Sequence, residues 1–210
     1  MVRLVLVHGA ATTSQMWDQV VPLLGVSTRC EVVAVERPRT GDLDREVADL
    51  APLVEGSWLI GVSGGATLGL AIAAAGVPLA GAVLHEPAVG SLEPGLLAPV
   101  VAAFAAHGTA GLGRTLYGQS WEPTMAGVVD EAGTAAELAM FRSFEPTPLP
   151  ASAGRVVATV GALSPDIRHR SVAALVAAVG CESHVIHGAS HFAPRDAPVA
   201  FAAAVAELIA

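Results

Sequence analysis

The sequence predicts an α/β protein, a six-stranded sheet, mostly or wholly parallel, with helices on both faces and a small helical cap. Continuous apolar runs of strand length fall at about 3–7, 31–36, 58–62, 81–85, 155–161 and 183–187. Such runs are what strands covered on both faces look like. Helical stripes lie between them, and this alternation implies right-handed crossovers within a parallel sheet. The alternation breaks once, between about residues 88 and 150, where only helical pieces occur.

Composition agrees with one well-buried domain. The chain has 210 residues, 53% of them hydrophobic, and a mean hydropathy of +0.58, enough for a full core. The opening "MVRLVLVHGA" reads as the first strand; its apolar run is too short for a signal peptide, so a cytoplasmic location is expected. No apolar stretch is long enough to span a membrane without interruption. A formal net charge of −8 and a pI near 5.2 argue against nucleic acid as a partner. All eleven basic residues are Arg, so lysine Schiff-base chemistry is excluded. Cys30 and Cys181 each precede a strand and read as reduced, structural thiols.

The elements follow in order. Trp17, Val20, Val21 and Leu24 form a helical stripe, with Thr13 or Ser14 as cap and Gly25 as stop. Leu43, Val47, Leu50 and Val54 form the next, and the charges Asp44, Arg45, Glu46 and Asp49 read as its solvated face. The segment from 88 to 149 holds "LLAPVVAAFAAHG" and "GTAAELAMFRSF" and leaves through the stiff "EPTPLPASAG". It reads as a cap inserted into a core made of 1–87 and 150–210. Val172, Leu175, Val176 and Val179, ended by Gly180, and then Phe201, Val205 and Leu208 complete the helices.

Ser63 stands in "WLIGVSGGATLGLAIAAAG", where the third strand meets a helix. A turn that sharp puts its central residue at positive φ, and its neighbours must be tiny, as Gly61 and Gly65 are. It lifts the serine clear of the sheet at a helix N-terminus, which marks Ser63 as a candidate nucleophile. Serine needs a base, and His191 in "HVIHGASHFAP" lies on a loop past the last strand. His184 and His187 fall on opposite faces of that strand, which argues against a metal site. No cofactor is implied. After the first strand, "HGAATTSQMW" places His8 as a loop anchor and the amides of Ala10 and Gly64 as an oxyanion-hole pair. With the second and third strands on opposite sides of the first, loop and Ser63 meet at a switch point, where ligands bind.

With "HGAATTSQMWDQVVPLL", "GVSGG" and "GASHF", the chain resembles the alpha/beta-hydrolase superfamily over essentially its whole length, less the family's usual first two strands. Its first stretch is similar to the branch of plant-type esterases and hydroxynitrile lyases. The lyases use an active-site Lys, which this chain lacks. The resemblance implies an acid after the fifth strand, where this sequence reads "GALSPDI" with Ser164 at the position. Two candidates stay open. Asp166 is close by but also suits a helix start capped by Ser164; Glu86 in "AVLHEPAVG" follows the fourth strand, where some members carry their acid.

Three functions are compatible with these residues. One is a serine hydrolase of a small ester, lactone or thioester, with an ionisation near the ordinary histidine value of about 6.5 limiting activity. Another is a non-hydrolytic enzyme on the same fold, a lyase, cyclase or cofactor-free haloperoxidase-like protein. The third is a non-catalytic small-molecule binding protein. The substrate is expected to be mostly apolar, because the cap offers Phe104, Tyr117, Trp121, Met140, Phe141 and Phe144. The sequence leaves the oligomeric state open.

Overall fold

The computed structural model describes residues 3–210. Six strands, β1 (Arg3–Val7), β2 (Glu31–Val35), β3 (Trp58–Val62), β4 (Gly81–His85), β5 (Arg155–Gly161) and β6 (Glu182–Ile186), form one sheet in the order β2-β1-β3-β4-β5-β6. Every pairing is parallel. The chain starts at β1, steps out to β2, crosses back to β3 and then proceeds in one direction. The reversal leaves a crevice at the C-terminal ends of β1 and β3, the kind of place where α/β sheets bind ligands.

The helices are α1 (Val20–Thr28), α2 (Leu43–Val54), α3 (Gly64–Ala74), α4 (Ala98–Tyr117), α5 (Glu131–Ser143), α6 (Asp166–Val179), α7 (Ala193–Asp196) and α8 (Pro198–Leu208). The central strands β1, β3 and β4 are buried almost throughout, and α3 packs on them with nine of its residues, Gly64 to Leu70, Ile72 and Ala73, out of solvent. Such a helix can approach closely only through small residues. A Cβ on Gly69 would lie 2.4 Å from Leu84. The edge strand β6 departs from the expected burial: Glu182, Ser183 and Val185 are exposed.

Four local expectations are corrected. The stripe from Trp17 to Leu24 is two pieces, a 3₁₀ turn at Ser14–Trp17 and then α1, and Thr13 makes no side-chain cap. Gly25 does not stop α1, which runs to Thr28 and ends at Arg29 with φ 54°. The Thr28 hydroxyl bonds Leu24 O at 2.7 Å and closes that last turn. Glu46 is not on a solvated face. It is fully buried and pairs with Arg37, while Asp44, Arg45 and Asp49 do face water. Ser164 does not cap α6, because its hydroxyl turns inward to another partner.

Between β4 and β5 the described chain holds α4, α5 and short 3₁₀ turns, with no strand. α4 is broken at His107 (φ −140°, ψ 16°) and Gly108 (φ 58°, ψ −150°). Gly108 is suited to that angle, which a side chain would strain, whereas the Glu131 carboxylate beside it could swing away. Both cysteines are free thiols. Among the described residues, no helix is long and apolar enough to cross a membrane.

Candidate active site

β3 ends and α3 begins within one residue, and that residue is Ser63, at φ 56° and ψ −121°. The turn is tight on both sides. A Cβ on Gly61 would lie 2.6 Å from Gly65 O, and one on Gly65 would lie 2.0 Å from Val7 O. Glycine at both positions lets α3 start hard against β1 and β3. The Ser63 amide donates to His85 O at 2.9 Å, and its carbonyl accepts from Thr67 N at 3.0 Å, which holds the strained residue at both ends.

His191 lies on the loop after β6, with Nε2 3.1 Å from Ser63 Oγ and Nδ1 2.8 Å from Glu86 Oε2. Ionised Glu86 can only accept, so Nδ1 carries the proton and Nε2 accepts from the serine hydroxyl. Glu86 leaves β4 in the left-handed region, at φ 49°. It is wholly buried, whereas Ser63 and His191 are 8% and 6% exposed. Asp166 is not part of this chain of bonds. It stands exposed in the first turn of α6. Ser164, at the position where the resemblance implied the acid, donates its hydroxyl to Glu86 Oε1 at 2.5 Å, and Gly161 N donates to the same oxygen at 2.9 Å. The carboxylate thus reaches His191 from the neighbouring strand, and β5 and the turn after it supply one donor each.

Two groups here were not legible in the sequence. Arg168, on α6, sets Nε 3.3 Å from Glu86 Oε2, the oxygen that also meets His191. His85 precedes Glu86; its Nε2 donates to Ser190 O at 3.0 Å and its Nδ1 accepts from Thr159 Oγ1 at 2.9 Å. This ring ties down the residue before His191. Burial lowers its pKa and keeps it neutral, although Glu86 Oε1 is 3.7 Å away.

The electrostatics follow from this crowding. Burial opposes charge on Glu86, but the His191 hydrogen bond, together with the cationic Arg168, outweighs it and holds the carboxyl below its ordinary range. Burial pushes His191 down to about 4, and Arg168 pushes it further in that direction against the help of Glu86. The ordinary histidine value expected from sequence is therefore corrected. One carboxylate shared between an imidazole and a guanidinium has less to give an imidazolium.

Ala10 and Gly64 flank the serine. The position of a Cβ on Gly64 would be 3.1 Å from Ala10 N, so the two stand side by side. Among the described residues, neither amide donates to a protein group. His8 is fully buried; its Nδ1 donates to Gly9 O at 3.0 Å and its Nε2 accepts from Arg37 N at 3.1 Å. Burial lowers its pKa, consistent with a neutral anchor for this loop.

A cavity of about 30 Å³ reaches Ser63, Ala10, Gly64, Glu86 and Arg168, walled mainly by leucines and by Phe141. It shares Ala88, Leu97 and Phe141 with an outer cleft of about 390 Å³. Of the aromatic and Met side chains expected to shape the pocket, only Phe141 lines it. Met140 and Phe144 are packed into the core, Phe104 is partly buried, and Tyr117 and Trp121 bind the loop after β1. His184 and His187 hold no metal cluster with other residues among those described.

The sequence profile of the alpha/beta hydrolase family matches residues 4–204. None of the curated proteins matches the chain. Solved structures do. A hydrolase from Pseudomonas aeruginosa has 19% identity and a TM-score of 0.76, over 99% of this chain and 89% of its own. The enol-lactonase from Burkholderia xenovorans has 16% identity and a TM-score of 0.76, over 99% and 91%. The thioesterase of prodiginine biosynthesis in Streptomyces coelicolor has 20% identity and a TM-score of 0.72, over 99% and 89%. At these identities the likeness is one of fold.

Proposed function

The chain belongs to the alpha/beta hydrolase family, and on that premise we propose that it is a serine hydrolase acting on a small, mostly apolar ester, lactone or thioester. The observation that carries the reading is the bonded series Ser63–His191–Glu86, at 3.1 and 2.8 Å, with Ser63 at a left-handed turn. In the proposed reaction Ser63 Oγ attacks the carbonyl carbon while His191 Nε2 takes the hydroxyl proton. Glu86 holds the Nδ1–H tautomer and stabilises the imidazolium. The amides of Ala10 and Gly64 receive the negative charge that develops on the carbonyl oxygen. His191 then returns the proton to the leaving group, and water, deprotonated by the same nitrogen, releases the acid from the acyl-enzyme.

The leucine-rich wall favours an apolar acyl group, and the lactonase and thioesterase among the structural neighbours set the range of compounds to try. The helical segment of 88–149 acts in this reading as the cap. The test is covalent labelling with a fluorophosphonate together with a panel of p-nitrophenyl esters, lactones and thioesters. Labelling of the native chain and its loss in folded Ser63→Ala are expected. Labelling retained by that variant would overturn the nucleophile assignment.

A further inference from the structure

The loop after β1 is held at three consecutive carbonyls, and the three holds all trace back to the helical segment between β4 and β5. Gly9 O accepts from Arg37 at 3.2 Å, as well as from His8 Nδ1 and Thr12 Oγ1 at 3.0 Å each. Ala10 O accepts from the Tyr117 hydroxyl at 2.8 Å, and Ala11 O accepts from Trp121 Nε1 at 2.8 Å. Tyr117 closes α4, and Trp121 follows it by four residues. Arg37 comes from the core, but its guanidinium is paired with Glu137 of α5 as well as with Glu46, and it lies 5.7 Å from the ring centre of Phe141. Arg39 grips Glu137 too, through Nε at 2.9 Å.

The loop needs holding. Ala11 sits at φ 50°, a region a non-glycine residue keeps only when its surroundings over-determine it. In a trans peptide the carbonyl of Gly9 and the N–H of Ala10 point in opposite directions. Fixing Gly9 O from behind therefore aims Ala10 N–H, and donors on the carbonyl polarise that N–H. The Tyr117 hydroxyl fixes the other side of the same residue, and its ring stacks on His191 at 5.6 Å with 5° between planes. Burial pushes this phenol up to about 12, so it stays a donor.

We propose that Tyr117 and Trp121, with Arg37 locked by Glu137, are positioning residues through which the helical segment sets the oxyanion hole, so that the hole is complete only while the segment is docked. The inference rests on the hydrolase reading above. It goes beyond shielding the site from water, because the segment here fixes the backbone of the hole itself.

The test is the second-order rate of fluorophosphonate labelling of Ser63, because the phosphoryl oxygen would occupy the hole whatever the natural substrate is. Tyr117→Phe keeps the ring on His191 and removes only the donor; Trp121→Phe keeps an aromatic group and removes the indole N–H. Each is expected to slow labelling about ten-fold, less than the roughly 10²–10³ for deleting a hole donor outright, with the acid limb of the labelling pH profile unmoved. The double variant should fall short of the product of the singles, since both act on one loop. Labelling by both singles within two-fold of the native rate would overturn the inference. So would slow labelling with a shifted acid limb, which would place the effect on His191. If Trp121→Phe does not fold, Tyr117→Phe decides alone. Native protein that takes no label overturns the hydrolase reading and the inference together, whereas labelled native protein with equally fast variants overturns only the inference.

Discussion

Glu86 shows how one side chain can carry several obligations. It accepts from His191, Ser164 and Gly161 and pairs with Arg168, all while buried. Glu86→Gln removes the charge and can offer His191 the wrong tautomer, so a loss of about 10³–10⁴ in turnover is expected, by analogy with the serine-protease aspartate. Asp166→Asn should change turnover little, because that carboxylate faces water; steady-state rates on one p-nitrophenyl ester compare the two. Arg168 gives a second expectation. Because His191 is held down at about 4, the acid limb of kcat/KM should lie near pH 4 rather than 6.5. Arg168→Met should move that limb upward, and an unmoved limb would show that burial alone sets it. Ser63 and His191 were open to a reader of the sequence, since each follows a strand at its C-terminal end, whereas Glu86 stood only as one of two candidates beside Asp166. Arg168 was not legible at all. It sits in an ordinary helical stretch, and only the packing of α6 against the sheet brings it to Glu86.

At the scale of elements, glycines decide where a helix can start and how close it can come. Gly65→Ala would place a methyl group 2.0 Å from Val7 O, a backbone atom that cannot step aside. A loss of about 3 kcal/mol or more is expected, at the upper end for overpacking. Gly25 is the counter-example, since a Cβ there meets nothing within 4 Å and the residue lies inside α1. Gly25→Ala should stabilise by about 0.5–1 kcal/mol. Urea midpoints of the two variants check both signs. The strands were legible nearly to the residue because apolar runs bounded by turns have few other readings. The misread elements have different causes. Gly25 looked like a stop, yet α1 runs past it and closes locally at Thr28; Glu46 looked like a solvated charge because local pattern says nothing of partners far along the chain. Arg37, nine residues before Glu46, and Glu137, a hundred residues after Arg37, close a buried cluster that no window of sequence displays.

Over the whole molecule, buried ionisable groups make stability fall in acid. His191 and His8 have pKa values below their ordinary one, so the unfolded chain takes up protons first. Their contribution is present above about pH 6.5 and fades as the pH falls, for His191 down to about 4. Glu86 and Glu137 are also held low, and Glu36, by its contact with His8 and the bond from the Ser14 amide and against its burial, at about 2. Their contribution is present above the ordinary carboxylate value and is lost below it. Burial raises Glu46, which opposes this trend in part. Melting temperatures at pH 7, 5 and 3 should descend at each step, and a rise from 7 to 5 would contradict the account. The break in α4 has a different consequence. Leu97, Ala98, Val101, Ala102 and Ala105, before His107, border the outer cleft, whereas Tyr117, after Gly108, grips the loop beside Ser63. On the proposed reading the stretch before the break would shape the outer cleft, while the stretch after it carries Leu112 and Leu116 of the inner wall together with the Tyr117 hold on the loop. On that reading, changes at Val101 or Ala105 would reshape the outer cleft and leave the hold on the loop in place, because the break at Gly108 separates those residues from Tyr117.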